Sequence, residues 1–593
     1  MSSVSPTADP NRLFVEAELA FRIGQLNEAH LLLTRLRPLV RGHAAVLHLS
    51  ALVAKRQGRF NEAEGFFRDT LALTPMDPEA LNNFANLLGN QGRLVEAVAC
   101  YDQALGADPG FVTARLNLAA TLQRLARFSE ALAQLEDFAP EDAQAAQVAS
   151  MRGASLLALG RLQDAANAFD DALAKEPQRA KALIGRASVA MQRGEDDAPK
   201  LLRQALELDL ENRDLLMQYA EALEAQGDPT ATAILEKAVQ ADPDWAEGQR
   251  TLARMRWEAG DADHFTQCIE QQLAKVPDRP QLWLALAASF ASADLHAEAA
   301  DAARRGQQAV GDLPQLIAIE AIQSSEAGDR LAADLAFSRL DPTSPEVAMA
   351  EARHRLRIRE FDRAQQLVEM ELGADPWSVP GWALQGLLWR LYEDPRTGWL
   401  HEQPGLLAPY QLDLDEQAIA RIAQRVRLLH QTRAHPLGQS LRGGTQTRGR
   451  LFERLDPEIR QLCDAVRQGL GAYWDQLPPQ DESHPLLRHR SRRPQFAGSW
   501  SVRLTDGGFH VAHIHPRGVV SSACYLVVPR IDADEGKLEV GGAPPELGLS
   551  LPALSSFAPR PGRMILFPST LYHGTRPFRV GERLTAAFDV VPG

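Results

Sequence analysis

Alanine recurs at Ala17, Ala51, Ala85 and Ala119, a strict spacing of 34 residues, and Gly153 continues the series. Ala29, Ala63, Ala97, Ala131 and Ala165 repeat the interval twelve residues later, and a turn residue keeps phase at Gly24, Gly58, Gly92, Gly160 and Gly194, with Ala126 the exception. Pro75, Pro109 and Pro177 close repeats. A period of this length marks an array in which each unit packs on its neighbours. Small residues at fixed points let two helices cross closely, glycine permits the turn between them, and proline ends the second helix. Stacked helix pairs are therefore imposed on the first part of the chain before any motif is considered.

The phase slips by one residue near Pro199 and resumes at Ala220, Gly227, Ala231 and Pro243, then at Ala253 and Gly260. Between about 265 and 345 it blurs, sharpens again at Ala352, Ala364 and Pro376, and a last first helix starts at Trp382. Phrases such as GRFNEAEGFFRDTLALTP and GRLVEAVACYDQALGADP resemble the second half of the tetratricopeptide repeat. The resemblance implies about ten to eleven repeats over residues 1–392, wound into a right-handed superhelix with a concave groove. Asn83 and Asn117 share one repeat position, with Asn82 and Asn86 beside the first. An amide that both donates and accepts suits the backbone of an extended peptide, and an asparagine ladder does that work in some proteins of the family. A solvated polar face is the equal alternative.

The Pro- and Gly-containing passage TGWLHEQPGLLAPY ends the array, and residues 393–435 read as a linker followed by a helix from about Asp415 to Gln431. The Gly-rich QSLRGGTQT suits neither a buried helix nor a regular strand; it places Arg442, Thr445 and Gln446 near the expected active site, with Arg442 and Gln446 as substrate-binding residues. A second helix spans about Pro457 to Trp474. The basic run Arg488 to Arg493 reads as a solvated loop, with anion binding the lesser alternative.

The remainder is rich in β-branched residues, aromatics and turn formers, the pattern of a compact all-β domain. It contains Gly507-Gly508-Phe509-His510-Val511-Ala512-His513-Ile514-His515-Pro516. Side chains alternate along a strand, so His513 and His515 share a face and His510 takes the other. His573 follows a short apolar strand, Met564 to Phe567. Three neutral imidazoles converging from two strands can form a facial metal site with open positions, and His510 stays outside it.

These residues resemble the iron(II)- and 2-oxoglutarate-dependent oxygenases, specifically a bacterial branch carrying HxHP, an SSACYL-like strand, FPSxLYH and RxT. The interval from His513 to His573 is 60 residues, and from His573 to Arg583 it is 10. The resemblance implies His513, His515 and His573 as metal ligands, with Arg583 gripping a carboxylate of 2-oxoglutarate through its planar, permanently charged fork. Thr585 and Tyr525 are the further co-substrate contacts it implies. The sequence departs from the common pattern in carrying His515 where an acidic ligand usually stands.

The expected fold is thus multidomain: an all-α tetratricopeptide superhelix, then a double-stranded β-helix (jelly-roll) domain over 436–593 with flanking helices. The implied function is an Fe(II)- and 2-oxoglutarate-dependent dioxygenase that hydroxylates a protein or peptide held by the repeat groove, with no catalytic side chain beyond the ligands. Two alternatives stay open. One is a non-catalytic scaffold with a degenerate barrel; the other is a three-histidine dioxygenase that does not use 2-oxoglutarate.

The net charge of −14 argues against a nucleic-acid partner, since phosphate binding needs a basic surface. Cys100, Cys268, Cys463 and Cys524 lack any CxxC spacing and read as reduced thiols. No run reaches the ~18 apolar residues of a membrane span, and MSSVSPTADPNRL lacks a basic-then-apolar leader. A cytoplasmic protein is expected, with homo-oligomerisation an open option.

Overall fold

The computed structural model describes residues 9–136, 142–530 and 535–593; the opening 1–8, on which much of the leader reading rests, lies outside the described residues. Among the described residues twenty-four helices precede the first strand. The chain divides into two compact units, residues 1–189 and 190–593. This division falls inside the repeats and not at the change of composition near 393.

In the first unit, helix pairs such as Ala44–Arg56 with Phe60–Leu73 and Pro78–Asn90 with Leu94–Ala107 follow the 34-residue period. The in-phase alanines, Ala17, Ala51, Ala85, Ala119, Ala29, Ala63, Ala97, Ala131 and Ala165, are all fully buried. At Gly153 an added Cβ would stand 2.7 Å from the Phe169 ring, so that position needs the smallest residue. The turn demands a left-handed backbone, which glycine adopts freely. Ala126, the exception, adopts it too, at φ 57°.

The second unit continues the pairs to Val379–Leu391 and Arg396–His401. The blurred stretch has a local cause. One second helix shrinks to Gln267–Leu273, and the turn glycine gives way to Asp294, at φ 58°.

Among the described residues the β domain holds nine strands: β1 (Ala408–Gln411), β2 (Leu441–Gln446), β3 (Pro494–His510), β4 (Val520–Val527), β5 (Leu538–Val540), β6 (Ser555–Phe557), β7 (Arg563–Pro568), β8 (His573–Thr575) and β9 (Glu582–Pro592). A six-stranded antiparallel sheet runs β1-β7-β4-β9-β3-β2, and a three-stranded one runs β6-β5-β8. The architecture is a helical repeat array followed by a β-sandwich with flanking helices. Two segments differ from their sequence reading. Part of the expected linker, Ala408–Gln411, is edge strand β1, where Pro409 is tolerated because an edge leaves its missing N–H unneeded. The Gly-rich phrase supplies the opposite edge, β2, with a register shift between Arg442 and Gly444 that accommodates Gly443 at φ 67°.

Period-two alternation sorts the large sheet into two faces. Cys524, Met564, Leu566, Leu584, Ala586, Phe588 and Val590 pack on Ile422, Val426, Leu462, Val466 and Tyr473 of helices Glu416–Arg427 and Pro457–Gln476. Tyr525, Ile565 and Phe567 pack instead with Leu538 and Val540 of the small sheet. On β9 the intervening residues Arg583, Thr585, Ala587 and Asp589 line a cavity.

Repeats of the second unit brace this domain directly. Arg353 donates to Tyr572 Oη (3.1 Å) and Glu546 (3.0 Å), and Arg357 to the Glu546 carbonyl (3.0 Å). Arg390 donates to the carbonyls of Pro552 (2.6 Å) and Gly541. Arg448 joins Glu224 and the buried Glu258. In the basic run, Arg488 lies 3.4 Å over the Trp377 ring and Arg490 donates to the Asp475 carbonyl (2.8 Å).

Candidate active site

β3 ends at His510, so His513 and His515 do not leave one continuous strand. His513 instead forms an isolated antiparallel bridge with His573, each backbone N–H donating to the other's carbonyl at 3.0 Å. The chain then turns through Pro516, with Gly518 N–H returning to the His515 carbonyl at 3.3 Å. The outcome is still convergence. Nitrogens of His513, His515 and His573 all lie within 4.8 Å of one another, the one such cluster among the described residues. His510 is not part of it; its ring stacks on His513 at 5.8 Å and its Nδ1 lies 3.1 Å from Ser440 Oγ.

The hydrogen bonds behind each ring fix which nitrogen faces the centre. His513 Nδ1 lies 2.8 Å from the Val511 carbonyl, His573 Nδ1 lies 3.2 Å from the Leu571 carbonyl, and His515 Nδ1 lies 2.5 Å from Asp589 Oδ1. All three partners only accept, so each Nδ1 carries a hydrogen and each Nε2 is the nitrogen turned to the centre. Burial, then the neighbouring His515, pushes His513 down to about 3, and burial holds His573 well below the usual imidazole value. The His513 and His573 rings are therefore neutral.

His513 Nε2 and His515 Nε2 stand 3.0 Å apart. At this separation the two nitrogens either share a proton or flank a cation. Nitrogens about 2.1 Å from one ion and about 90° apart are separated by about 3.0 Å, so this one spacing is compatible with two adjacent ligands of a common ion. Ser440 Oγ, 3.2 Å from His513 Nε2, also reaches this point.

The cavity beside these nitrogens measures about 610 Å³, within the range of small-molecule sites. Its wall includes Trp500, Val502, Ala523 and Leu538, the polar residues Ser440, Arg442 and Gln446, and Ala291 and Asp294 from a repeat. Arg442 is held by Asp294 and by the Gln439 carbonyl (2.6 Å). Thr445 faces elsewhere, its hydroxyl 2.8 Å from His430 Nδ1.

Arg583 is 2% exposed. Its Nη1 donates to the Gly536 carbonyl (2.9 Å) and its Nη2 to Tyr525 Oη (3.3 Å), while its Nε has no partner. Among the described residues no carboxylate pairs with it. A buried guanidinium without an anion is costly, and burial lowers its proton affinity. A carboxylate ligand reaching Arg583 would supply a matching anion. Thr585 lines the same wall, its hydroxyl making only a long bond to the Val502 carbonyl (3.4 Å). Tyr525 is fully buried and does not line the cavity; it acts on it through Arg583.

In the first unit, Asn83 Nδ2 lies 3.1 Å from His48 Nε2, and Asn117 Nδ2 donates to Asn82 Oδ1 at 3.0 Å. Both amides are thus engaged between successive repeats. Sequence reasoning overlooked Ser440, Asp294, Trp500 and Asp589. The last had a signal: it continues the Arg583, Thr585, Ala587 alternation.

The fold and site define a tetratricopeptide-repeat protein with a C-terminal β-sandwich carrying a three-histidine cluster. Residues 498–589 match the family described as "Putative 2OG-Fe(II) oxygenase", and 48–110, 90–154 and 150–198 match tetratricopeptide repeat families. The chain thus carries tetratricopeptide repeats and, after them, a C-terminal region that matches the "Putative 2OG-Fe(II) oxygenase" family. Among solved structures it is similar to MamA 41-end from Desulfovibrio magneticus RS-1 (20% identity, 29% of this chain and 97% of that one, TM-score 0.27). It is also similar to the C-terminal part of a repeat protein from Cytophaga hutchinsonii (14%, 40% and 99%, TM-score 0.33). A third is the APC/C hetero-tetramer Cut9-Hcn1 (17%, 65% and 78%, TM-score 0.32). None of the three bears on function. No curated protein matches the chain. No helix among the described residues is long and apolar enough to cross a membrane.

Proposed function

We propose that the protein is an Fe(II)- and 2-oxoglutarate-dependent oxygenase that hydroxylates a protein or peptide recruited by its repeats. The observation that carries the reading is Arg583, a buried cation with no carboxylate partner among the described residues, on the same strand face as Thr585 and in the same cavity as the three histidines. His513, His515 and His573 would hold the metal. Arg583 would pair with the far carboxylate of 2-oxoglutarate, Thr585 would add a hydroxyl contact, and Tyr525 would hold the guanidinium in place. The bound iron and co-substrate supply the oxidation itself, as cofactors do. The chain's part is to orient them and to enclose the substrate, with Trp500 and Val502 limiting water.

Repeat arrays offer long surfaces for peptides, which supports a macromolecular substrate. Arg442 and Gln446 on the cavity wall would contact it near the metal. The four cysteines are unpaired, which supports a reducing compartment such as the cytoplasm.

The test is turnover of the full chain loaded with iron(II) under oxygen. 2-Oxoglutarate should yield succinate slowly without a protein substrate. If the loaded protein neither binds 2-oxoglutarate nor forms succinate, the hydroxylase reading fails. Oxygen uptake without 2-oxoglutarate would then indicate a three-histidine dioxygenase, and no uptake a scaffold.

A further inference from the structure

The cluster has no acidic member, yet an acid stands directly behind it. Asp589 lies on β9, four residues beyond Thr585 and on the same face, and its Oδ1 is 2.5 Å from His515 Nδ1. β9 is flanked on both sides: Asp589 pairs in register with Gly498 of β3 and Ser521 of β4. Ser521 Oγ lies 3.5 Å from Asp589 Oδ1 and 2.9 Å from Ser569 Oγ. The turn after His515 approaches closely, since a Cβ on Gly518 would stand 3.1 Å from Asp589 Cβ. The carboxylate is therefore held by a central strand, and the loop carrying His515 packs down onto it. The other two rings rest on backbone carbonyls of Val511 and Leu571. Only His515, the ligand that stands where an acid would usually stand, has a carboxylate behind it.

We propose that Asp589 is a positioning residue that supplies from one shell out the negative charge missing from the metal's ligand set, by accepting the Nδ1 hydrogen of His515. This rests on the three-histidine metal centre proposed above. A carboxylate in this place fixes the ring's tautomer and orientation, and makes the imidazole a stronger donor. The centre can then hold a divalent ion with neutral ligands while the compensating charge stays off the open coordination positions.

Cobalt(II), stable in air and coloured by its ligand field, is the probe. The full chain is titrated with cobalt by calorimetry and visible absorption, as wild type, Asp589→Asn and Asp589→Ala. The expectation is a loss of about 10- to 100-fold in affinity for the alanine variant, a smaller loss for the isosteric asparagine, and a shifted cobalt band in both. Asp589→Glu should recover part of the affinity. Equal affinity and an unchanged band in the asparagine variant would overturn the proposal, and that variant decides if the alanine change prevents folding. Failure of the wild type to bind cobalt is a different result. It would remove the metal centre itself and this proposal with it.

Discussion

Replacing Arg583 with methionine sets stability against function. The side chain is 2% exposed and makes two hydrogen bonds, with its Nε unpartnered. Replacing buried charged groups by apolar side chains of similar volume is often neutral or stabilising by about 1–4 kcal/mol. Against this, the Gly536 carbonyl would lose its donor at 2.9 Å, costing about 1 kcal/mol. Arg583→Met should therefore be as stable as the wild type without ligand, or more so by up to about 3 kcal/mol. The order reverses with 2-oxoglutarate. Two charge-assisted bonds are worth about 3 kcal/mol or more together, so the variant should bind at least about 100-fold more weakly. At a concentration of about 100 times its dissociation constant the ligand stabilises the wild type by about 2.7 kcal/mol and the variant by almost nothing. Thermal unfolding of cobalt-loaded protein, followed by tryptophan fluorescence with and without 2-oxoglutarate, reads both effects. A variant less stable than unliganded wild type, combined with an identical response to 2-oxoglutarate, would refute the reasoning.

His573→Ala should abolish stoichiometric cobalt binding while the far-ultraviolet helical signal persists, because repeat stability is local; a fully retained metal stoichiometry would exclude His573 as a ligand. Asn117→Ala removes the donor to Asn82, itself buried, and should destabilise the first unit by about 1 kcal/mol in urea unfolding; no change would return Asn117 to a solvated role. Burial holds His401 at about 3 and His430 at about 4. Below pH 6.5 the unfolded chain binds protons these folded histidines refuse, so stability falls with pH by up to about 1.4 kcal/mol per unit for each. The loss should run from about pH 6.5 to 3 for His401, and His401→Gln should flatten its share of the slope in urea titrations across that range.

What the sequence disclosed and what it hid divide along physical lines. Fixed-interval alanines were legible because close helix crossings accept nothing larger, and the histidine spacing because ligands must meet at one point. Where the left-handed turn was taken by Asp294 in place of glycine, the period faded although the geometry persisted. Strand β1 was hidden because four residues at an edge carry too little alternation to register, and β2 because its glycines deny it strand propensity. The alternation argument assigned His513 and His515 to a shared face through a regular strand; the structure joins them through a bridge and a turn. Asp589 escaped notice because its bond spans 74 residues, a pairing set by tertiary register.

Repeat arrays ordinarily lengthen and shorten by duplication, one module at a time. The bracing by Arg353, Arg357, Arg390 and Arg448 removes that freedom from the stretch between 190 and 392. Each of these arginines grips a specific carbonyl or side chain of the β domain or, for Arg448, reaches back from it to Glu224 of a repeat. Inserting or deleting a module there would leave charged groups facing the wrong partners across a closed contact. Tyr572, gripped by Arg353, is the residue next to His573, so such an indel would be felt at the metal. The later modules are thus expected to drift only by substitution, with their number frozen, and the β domain to travel between genes only with them attached.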